Sequence, residues 1–553
     1  MRPTLCACIA LTLFVSGCGA EGRGPAESAP RSAKAPAGAA SRIPATLSDD
    51  NPEITEGRFN TEAYDQVVEN PFLAAVRNPL STFSIDVDTA SYSLVRRFLS
   101  EGRLPPQGAV RIEELVNYFS YDDPPPKGET PFSVNIEVAE CPWNSDHRLA
   151  RIGLKGREFP QDERPASNLV FLIDVSGSMD APNKLPLVKA GLNLLVDRLN
   201  RNDHVAIVVY AGASGLVLPP TRGDQKELIQ SAIEQLTAAG STHGSAGIRL
   251  AYQTAVEHFI TGGTNRVILC TDGDFNVGVT SQDELIRLIE DKARTGVFLT
   301  VLGFGMGNYK DSTLEKLADK GNGNYGYIDN MREARKMLAE QLQGTLITIA
   351  KDVKLQVEFN PARVVAYRLI GYENRVLAAE DFNNDAKDAG DIGAGHSVTA
   401  LYELVPPGQS LGESGPELGS VDPLRYQKTN GVSEAAGGDE LFRLALRFKL
   451  PDAATSQRLE FTAIDNGRKI SQASRDFTWS SAVAAFGMIL RDSKHKGNAT
   501  LASVAELAQS AKGPDAQGHR GEFVQLVETA RRIHDGFRHN GRASGERTSR
   551  QTR

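Results

Sequence analysis

The stretch NLVFLIDVSGSMD, residues 168–180, decides how this sequence is interpreted. It begins with an apolar run typical of a buried strand and ends in three oxygen-bearing side chains, Asp174, Ser176 and Ser178. In open α/β sheets, ligands bind beyond the carboxyl ends of the strands. The stretch therefore predicts a polar site at the end of a buried strand, provided that the neighbouring sequence supplies the rest of the sheet.

The sequence around this stretch alternates between apolar runs and amphipathic segments. The strand-like runs are LVFLID (169–174), HVAIVVYA (204–211), RVILCTD (266–272) and VFLTVLGF (297–304). Segments with helical periodicity lie between them, among them KLPLVKAGLNLLVDRL at 184–199. Strands that are apolar on both faces and separated by helices indicate a parallel sheet covered on both sides. We therefore expect a doubly wound α/β domain over residues 165–345.

Two later segments bring further oxygen ligands to the same edge of the predicted sheet. Asp272 ends the run RVILCTD, and Thr242 lies in the glycine-flanked loop AAGSTHGS. Two carboxylates and three hydroxyls favour Mg²⁺, Mn²⁺ or Ca²⁺ over zinc. In an alternative interpretation, Asp174 and Ser176 only satisfy turn and helix-cap backbone groups, but this leaves Thr242 and Asp272 unexplained. His243 is interpreted as a solvent-facing loop residue, because the motif offers it no orienting partner.

This pattern resembles the von Willebrand factor type A (VWA) domain and its metal-ion-dependent adhesion site (MIDAS). The matching elements are DVSGS, Thr242 in GST and Asp272 in TDGD, in the family's order. The resemblance implies that Ser176 and Ser178 coordinate the cation directly, and Thr242 directly or through water. It implies that Asp174 and Asp272 act largely through water. It also implies that an acidic residue of a protein partner supplies the sixth ligand.

The N-terminus has the features of an exported, lipid-anchored protein. Residues 1–17 contain Arg2 and a short apolar core, which predicts a signal peptide and is too short to span a bilayer. The following VSGCGA resembles a bacterial lipobox, with Cys18 as the acylated residue that anchors the chain to a lipid bilayer. A plain secretory signal and a short anchor are the alternatives. Residues 18–52 then form an Ala-, Pro-, Gly- and Ser-rich linker, predicted to be disordered.

Composition narrows the range of partners. The formal net charge is −8, so nucleic acid is not expected as a partner. Of the five cysteines, only Cys141 and Cys270 remain beyond the predicted signal and lipidation site, which argues against a disulfide framework.

The predicted domain is flanked by regions of different character. Residues 53–163 give mixed signals of a small α+β region, residues 346–480 alternate like a β-sandwich, and residues 481–538 are helical. Residues 539–553 are polar and predicted to be disordered. The segment SIDVDTASY (84–92) echoes LIDVSGSM, but its third oxygen position falls on Ala90, which favours coincidence over a degenerate repeat.

The chain as a whole resembles bacterial envelope lipoproteins with a VWA domain, an associated N-terminal region and a C-terminal region of unknown role. The segments that carry this resemblance are STFSIDVDTASYS, RIEELVNYF, FLIDVSGSM, TDGDFNVG and DIGAGHSVTALYEL. We expect a non-enzymatic, membrane-tethered module that binds a protein in adhesion or envelope complex assembly, with the outer membrane or periplasmic face favoured. The alternatives are a metal-stabilised scaffold, a metal-dependent hydrolase and a channel component. The last is disfavoured because no spanning segment follows residue 17.

Overall fold

The structure is a computed structural model. It describes residues 64, 66–160, 163–241, 244–273, 282–306, 311–341, 344, 346–387, 389–408, 423–428, 431–451 and 453–549. The strands in chain order are β1 (Leu73–Ala74), β2 (Leu80–Ser84), β3 (Phe132–Cys141), β4 (Asn144–Gly156), β5 (Ser167–Asp174), β6 (His204–Tyr210), β7 (Ser214–Arg222), β8 (Thr264–Thr271), β9 (Val297–Phe304), β10 (Tyr325–Ile328), β11 (Thr348–Phe359), β12 (Ala366–Ile370), β13 (Val376–Leu377), β14 (Gly390–Gly393), β15 (Ser397–Val405), β16 (Gln427–Lys428), β17 (Gly431–Val432), β18 (Glu440–Lys449) and β19 (Gln457–Ile464). The helices are α1 (Ala90–Ser100), α2 (Ile112–Asn117), α3 (Leu185–Arg198), α4 (Lys226–Glu234), α5 (Gly244–Glu257), α6 (Gln282–Arg294), α7 (Asp311–Lys320), α8 (Met331–Arg335), α9 (Arg475–Leu490), α10 (Leu501–Ala511) and α11 (His519–Ser549).

The central sheet has six strands in the order β10-β9-β8-β5-β6-β7. The first five are mutually parallel, and β7 pairs antiparallel with β6 at the edge. Every residue of β5 is buried. Phe171 and Ile173 pack on the side of α3 and α4, whereas Val170 and Leu172 pack on the side of α5, α6 and α7. The prediction of a doubly wound α/β domain is confirmed, with the correction that its sheet is mixed.

Among the flanking strands, β16 and β17 pair only with each other, and the others form two antiparallel sheets that pack face to face. One has the order β1-β12-β15-β4-β3 and the other β13-β2-β11-β18-β19, with β14 also paired to β11. Between them lies an aromatic core in which Phe359 stacks on Tyr367 with ring centroids 3.9 Å apart. Phe83 approaches Tyr402 from the opposite sheet, with ring centroids 6.2 Å apart. The predicted β-sandwich is therefore present.

The boundaries predicted for the flanking regions need correction, because both sheets combine strands from before and after the central domain. Phe83 of β2 pairs with Leu355 of β11, and Ile152 of β4 pairs with Ala400 of β15. Residues 53–163 and 346–480 are thus not two separate domains in the described part of the chain. The central domain is an insertion between strands of one sandwich, and pairing across that distance leaves no local signal in the sequence.

The C-terminal helices cover the outer face of the five-stranded sheet together with α1 and α2. Trp479, Phe486 and Phe523 share a buried cluster with Phe119 and with sheet residues such as Leu149. The predicted helical region 481–538 therefore begins earlier, at Arg475, and also packs on the N-terminal helices. Helix α11 extends to Ser549, so the predicted disordered tail from residue 539 is corrected to helix as far as that residue.

Two expectations about the whole chain can be compared with this structure. Within the described segments, the helices are too short or too polar to cross a bilayer. Cys141 and Cys270, the two cysteines beyond the predicted signal and lipidation site, are both buried free thiols. The predicted signal peptide, Cys18 and the linker to residue 52 lie outside the described residues.

Candidate metal site at the end of the central sheet

Asp174 is the last residue of β5 and is fully buried. Its Oδ1 accepts a hydrogen bond from the Ser176 backbone N–H at 2.9 Å, and its Oδ2 accepts one from the Tyr210 hydroxyl at 3.1 Å. The turn after β5 is held in addition by Ala239 N–H, which donates to the Val175 carbonyl at 2.7 Å. The carboxylate is therefore fixed in orientation at the carboxyl end of the sheet.

The two serines of the motif present their hydroxyls side by side. Ser176 Oγ and Ser178 Oγ are 3.0 Å apart, with Ser176 buried and Ser178 exposed. An octahedral Mg²⁺ with ligands at about 2.1 Å holds adjacent ligand oxygens about 3.0 Å apart. The spacing of the hydroxyls and the all-oxygen character of the donors fit a hard divalent cation.

Asp272 follows β8, the strand next to β5, and its side chain is buried at the same edge. Its Oδ2 accepts a hydrogen bond from Lys184 Nζ at 2.8 Å, which forms a largely buried ion pair. Thr242 and His243 lie outside the described residues. Of the five predicted ligands, the structure thus places Asp174, Ser176, Ser178 and Asp272 at one edge of the sheet.

At this edge of the sheet, the ionised carboxylates of Asp174 and Asp272 repel each other. Burial raises the pKa of Asp174 above its usual range, hydrogen bonds from Ser176 lower it, and the charge of Asp272 raises it further. Burial and Asp174 together raise the pKa of Tyr210, so its hydroxyl remains a donor. A cation at this edge would relieve the repulsion between the two carboxylates.

A second group of carboxylates, missed in the sequence, lies where α2 meets α7. Oxygens of Asp86, Glu114 and Glu315 lie within 4.8 Å of one another, and all three residues are buried. The Arg111 guanidinium lies beside carboxyl oxygens of Glu114 and Glu315, and Arg375 Nε lies 3.2 Å from Asp86 Oδ2. The contact of Arg111 with Glu315 joins the N-terminal region to the central domain. Asp88 of SIDVDTASY also accepts a hydrogen bond from the Tyr325 backbone N–H of β10 at 2.8 Å, which gives this segment a structural role.

This second group makes stability depend on pH. Burial raises the pKa of Glu114 to about 8, although Arg111 lowers it, and burial likewise raises that of Glu315 to about 7. The unfolded chain loses these protons near pH 4.5, whereas the folded protein keeps them to about pH 7–8, so stability falls as pH rises through this window. We expect the melting temperature to drop by roughly several degrees between about pH 5.5 and 8.5.

The Glu114→Gln variant tests this assignment, because an amide has no proton to lose in this range. Differential scanning calorimetry across the window should show a flatter profile for this variant than for the wild type. Glu129→Gln, at an exposed position, is the control and should keep the wild-type slope. A wild-type melting temperature that rises with pH would contradict the assignment.

Comparisons with known proteins cover three consecutive parts of the chain. Residues 58–151 match the model described as von Willebrand factor, and residues 168–342 match the von Willebrand factor type A domain. Residues 344–533 match the C-terminal region of the uncharacterized protein YfbK. YfbK of Escherichia coli (strain K12) is 45% identical over 482 residues, which are 86% of this chain and 82% of YfbK. The chain belongs to the YfbK family.

More distant relatives align with only part of this YfbK family member. The uncharacterized protein sll0103 of Synechocystis is 30% identical over 193 residues, 34% of this chain and 44% of that protein. The structure of a von Willebrand factor type A protein from Catenulispora acidiphila aligns with a TM-score of 0.39 and 16% identity, covering 71% of this chain and 89% of that one.

Within this YfbK family member, two side chains of the site escaped the sequence interpretation. Tyr210 ends β6 beside Asp174, and its position at a strand end next to β5 was a usable signal. Lys184 gave no comparable signal, because it precedes α3 and reaches Asp272 only through the fold. The candidate site therefore contains the ammonium group of Lys184 in addition to its oxygen-bearing side chains.

Proposed function

We propose that this protein binds a partner protein through a divalent cation, Mg²⁺ in the first place, held by Asp174, Ser176, Ser178, Thr242 and Asp272. The observation that carries the proposal is the pair of hydroxyls 3.0 Å apart, of which Ser176 is buried and Ser178 is exposed. A cation beside them is enclosed on its inner side and open on its outer side. An acidic side chain of a partner can then complete its coordination shell.

The hydrogen bonds and ion pairs of the two carboxylates at the edge of the sheet favour binding over catalysis. Asp174 is held by Tyr210 and Ser176, and Asp272 is ion-paired with Lys184, so both carboxylates are engaged. A hydrolase would need a base poised beside the open position of the cation. A purely structural cation is the second candidate, and it would stabilise the fold by about 2.7 kcal/mol at 100 times its dissociation constant.

We further propose that the protein acts at the cell envelope, in adhesion or complex assembly, anchored to the outer membrane or the periplasmic face through acylated Cys18. The lipobox-like sequence VSGCGA supports this placement. Mass spectrometry of the N-terminal peptide should show acylation at Cys18, and an unmodified peptide that retains residues 1–17 would contradict it.

The binding proposal is tested by affinity capture from an envelope extract with the full chain as bait. We expect a set of proteins to be retained in Mg²⁺ and lost in EDTA. The same set should be lost in Mg²⁺ when Ser176→Ala removes one hydroxyl ligand. Ser231→Ala, at an exposed position of α4, is the control and should retain the set.

The outcome also separates the two candidate functions. A role in partner binding requires that capture and cation binding are lost together. Capture of an identical set with Mg²⁺, with EDTA and with Ser176→Ala would contradict cation-dependent binding and leave the structural role.

A further inference from the structure

Lys184 brings an ammonium group into the edge of the sheet where the cation is proposed to bind. Its Nζ lies 2.8 Å from Asp272 Oδ2, and its side chain is only 13% exposed, against 3% for Asp272. The residue directly precedes α3, and its backbone N–H donates to the Ala181 carbonyl at 2.9 Å. Its backbone is thus fixed by the turn that follows the motif.

The path of the Lys184 side chain depends on a glycine. Gly305 follows β9 with a φ of +76°, and a Cβ at this position would come within 2.4 Å of Lys184 Cε. The Gly305 carbonyl accepts a hydrogen bond from the Tyr327 hydroxyl, which holds that turn in place. The lysine stem therefore crosses the end of β9 in close contact with backbone, and this directs the ammonium to Asp272.

The Lys184 ammonium and a divalent cation are both attracted to the Asp272 carboxylate. Without a cation, the Lys184 charge offsets the negative charge that Asp272 adds to the surroundings of Asp174. With a cation bound near Ser176 and Ser178, the ammonium becomes a like charge a short distance away, which opposes binding. The ion pair between Lys184 and Asp272 therefore opposes the binding of the cation, and the two are coupled in free energy.

We propose that Lys184 competes with the divalent cation for the Asp272 carboxylate and thereby sets the cation concentration at which the site fills. This inference rests on the proposed cation site and adds its regulation. The partner-binding surface is then complete only above a certain concentration of divalent cation. The charge of Lys184 sets that concentration.

Titration of the full-length protein with Mn²⁺, followed by the electron paramagnetic resonance signal of free Mn²⁺, tests the proposal. Lys184→Met keeps the stem that packs on Gly305 and removes the charge. We expect it to tighten Mn²⁺ binding by about tenfold or more relative to the wild type. Lys184→Gln, which keeps a polar end without charge, should tighten binding in the same direction and provides a second variant should the first fold poorly.

Lys189→Met is the matched control, since Lys189 lies in the first turns of α3, the helix that Lys184 precedes, with a side chain 19% exposed. Its Nζ donates to the Glu234 carbonyl at 2.6 Å, away from the site, so its removal should leave the Mn²⁺ affinity unchanged. The melting temperature in EDTA gives an independent readout. It should fall for Lys184→Met, because the repulsion between Asp174 and Asp272 is then uncompensated.

The possible failures are distinguishable. Mn²⁺ binding by the wild type with an affinity that Lys184→Met and Lys184→Gln leave within twofold, or weaken, would overturn the competitor role and leave the cation site intact. A lack of Mn²⁺ binding in the wild type and in both variants would overturn the cation site and the inference together.

Discussion

Asp174→Asn should weaken Mn²⁺ or Mg²⁺ binding by about 10- to 100-fold, the range typical of losing a group that orients metal ligands. The amide keeps an oxygen for the Ser176 backbone N–H and removes the negative charge. Because burial and the charge of Asp272 raise the pKa of Asp174, its ionised form is costly in the cation-free protein. The melting temperature in EDTA should therefore be unchanged or raised while the cation affinity falls.

Isothermal titration calorimetry measures the affinity, and a thermal melt in EDTA measures the stability. Asp180→Asn is the control, because Asp180 is exposed in the same turn and should leave both values unchanged. A variant that binds the cation as tightly as the wild type would show that Asp174 serves only the turn, which is the alternative that the sequence left open.

Asp123→Ala should destabilise the protein by about 3–5 kcal/mol, because it leaves a buried guanidinium without its counter-charge. Arg151 Nη1 and Nη2 donate to the two oxygens of Asp123 at 2.8 and 2.6 Å, and both side chains are at most 2% exposed. Burial alone would raise the pKa of Asp123, but the hydrogen bonds and charge of Arg151 hold it below its usual range. The pair lies on the outer face of the five-stranded sheet, where Arg151 also packs over the Tyr121 ring at 4.7 Å.

Urea unfolding of the two proteins measures this loss. Asp122→Ala, at the exposed neighbouring position, should stay within about 0.5 kcal/mol of the wild type. A loss below about 1 kcal/mol for Asp123→Ala would mean that water or a rearranged side chain compensates Arg151. In that case the ion pair contributes little to the stability of the fold.

The central domain was predictable because its signals are local. Residues 168–180 carry both the buried strand and the oxygen-bearing side chains at its end, so no long-range pairing is needed to recognise them. Strand β7 was missed because Pro219 and Pro220 argue against a strand, although proline is tolerated at a sheet edge, which is where β7 lies. Strand β10 was missed because four residues containing a glycine give too weak a pattern.

The flanking architecture was not predictable in this way. The pairing of β2 with β11 depends on a register that only the folded sandwich selects. The contacts of Lys184 with Asp272 and of Arg111 with Glu315 likewise join residues distant in sequence. The motif was enough to predict that Asp174, Ser176, Ser178 and Asp272 lie at one edge of the sheet, whereas the contact of Lys184 with Asp272 was not predictable.

The central claim, that a cation binds beside Ser176 and Ser178, is tested most directly by crystals of the protein grown with Mn²⁺ and measured for anomalous scattering. The account predicts an anomalous peak within bonding distance of Ser176 Oγ and Ser178 Oγ, at the edge that also holds Asp174 and Asp272. A peak at Asp86, Glu114 and Glu315 in its place, or none at the serines under saturating Mn²⁺, would contradict it.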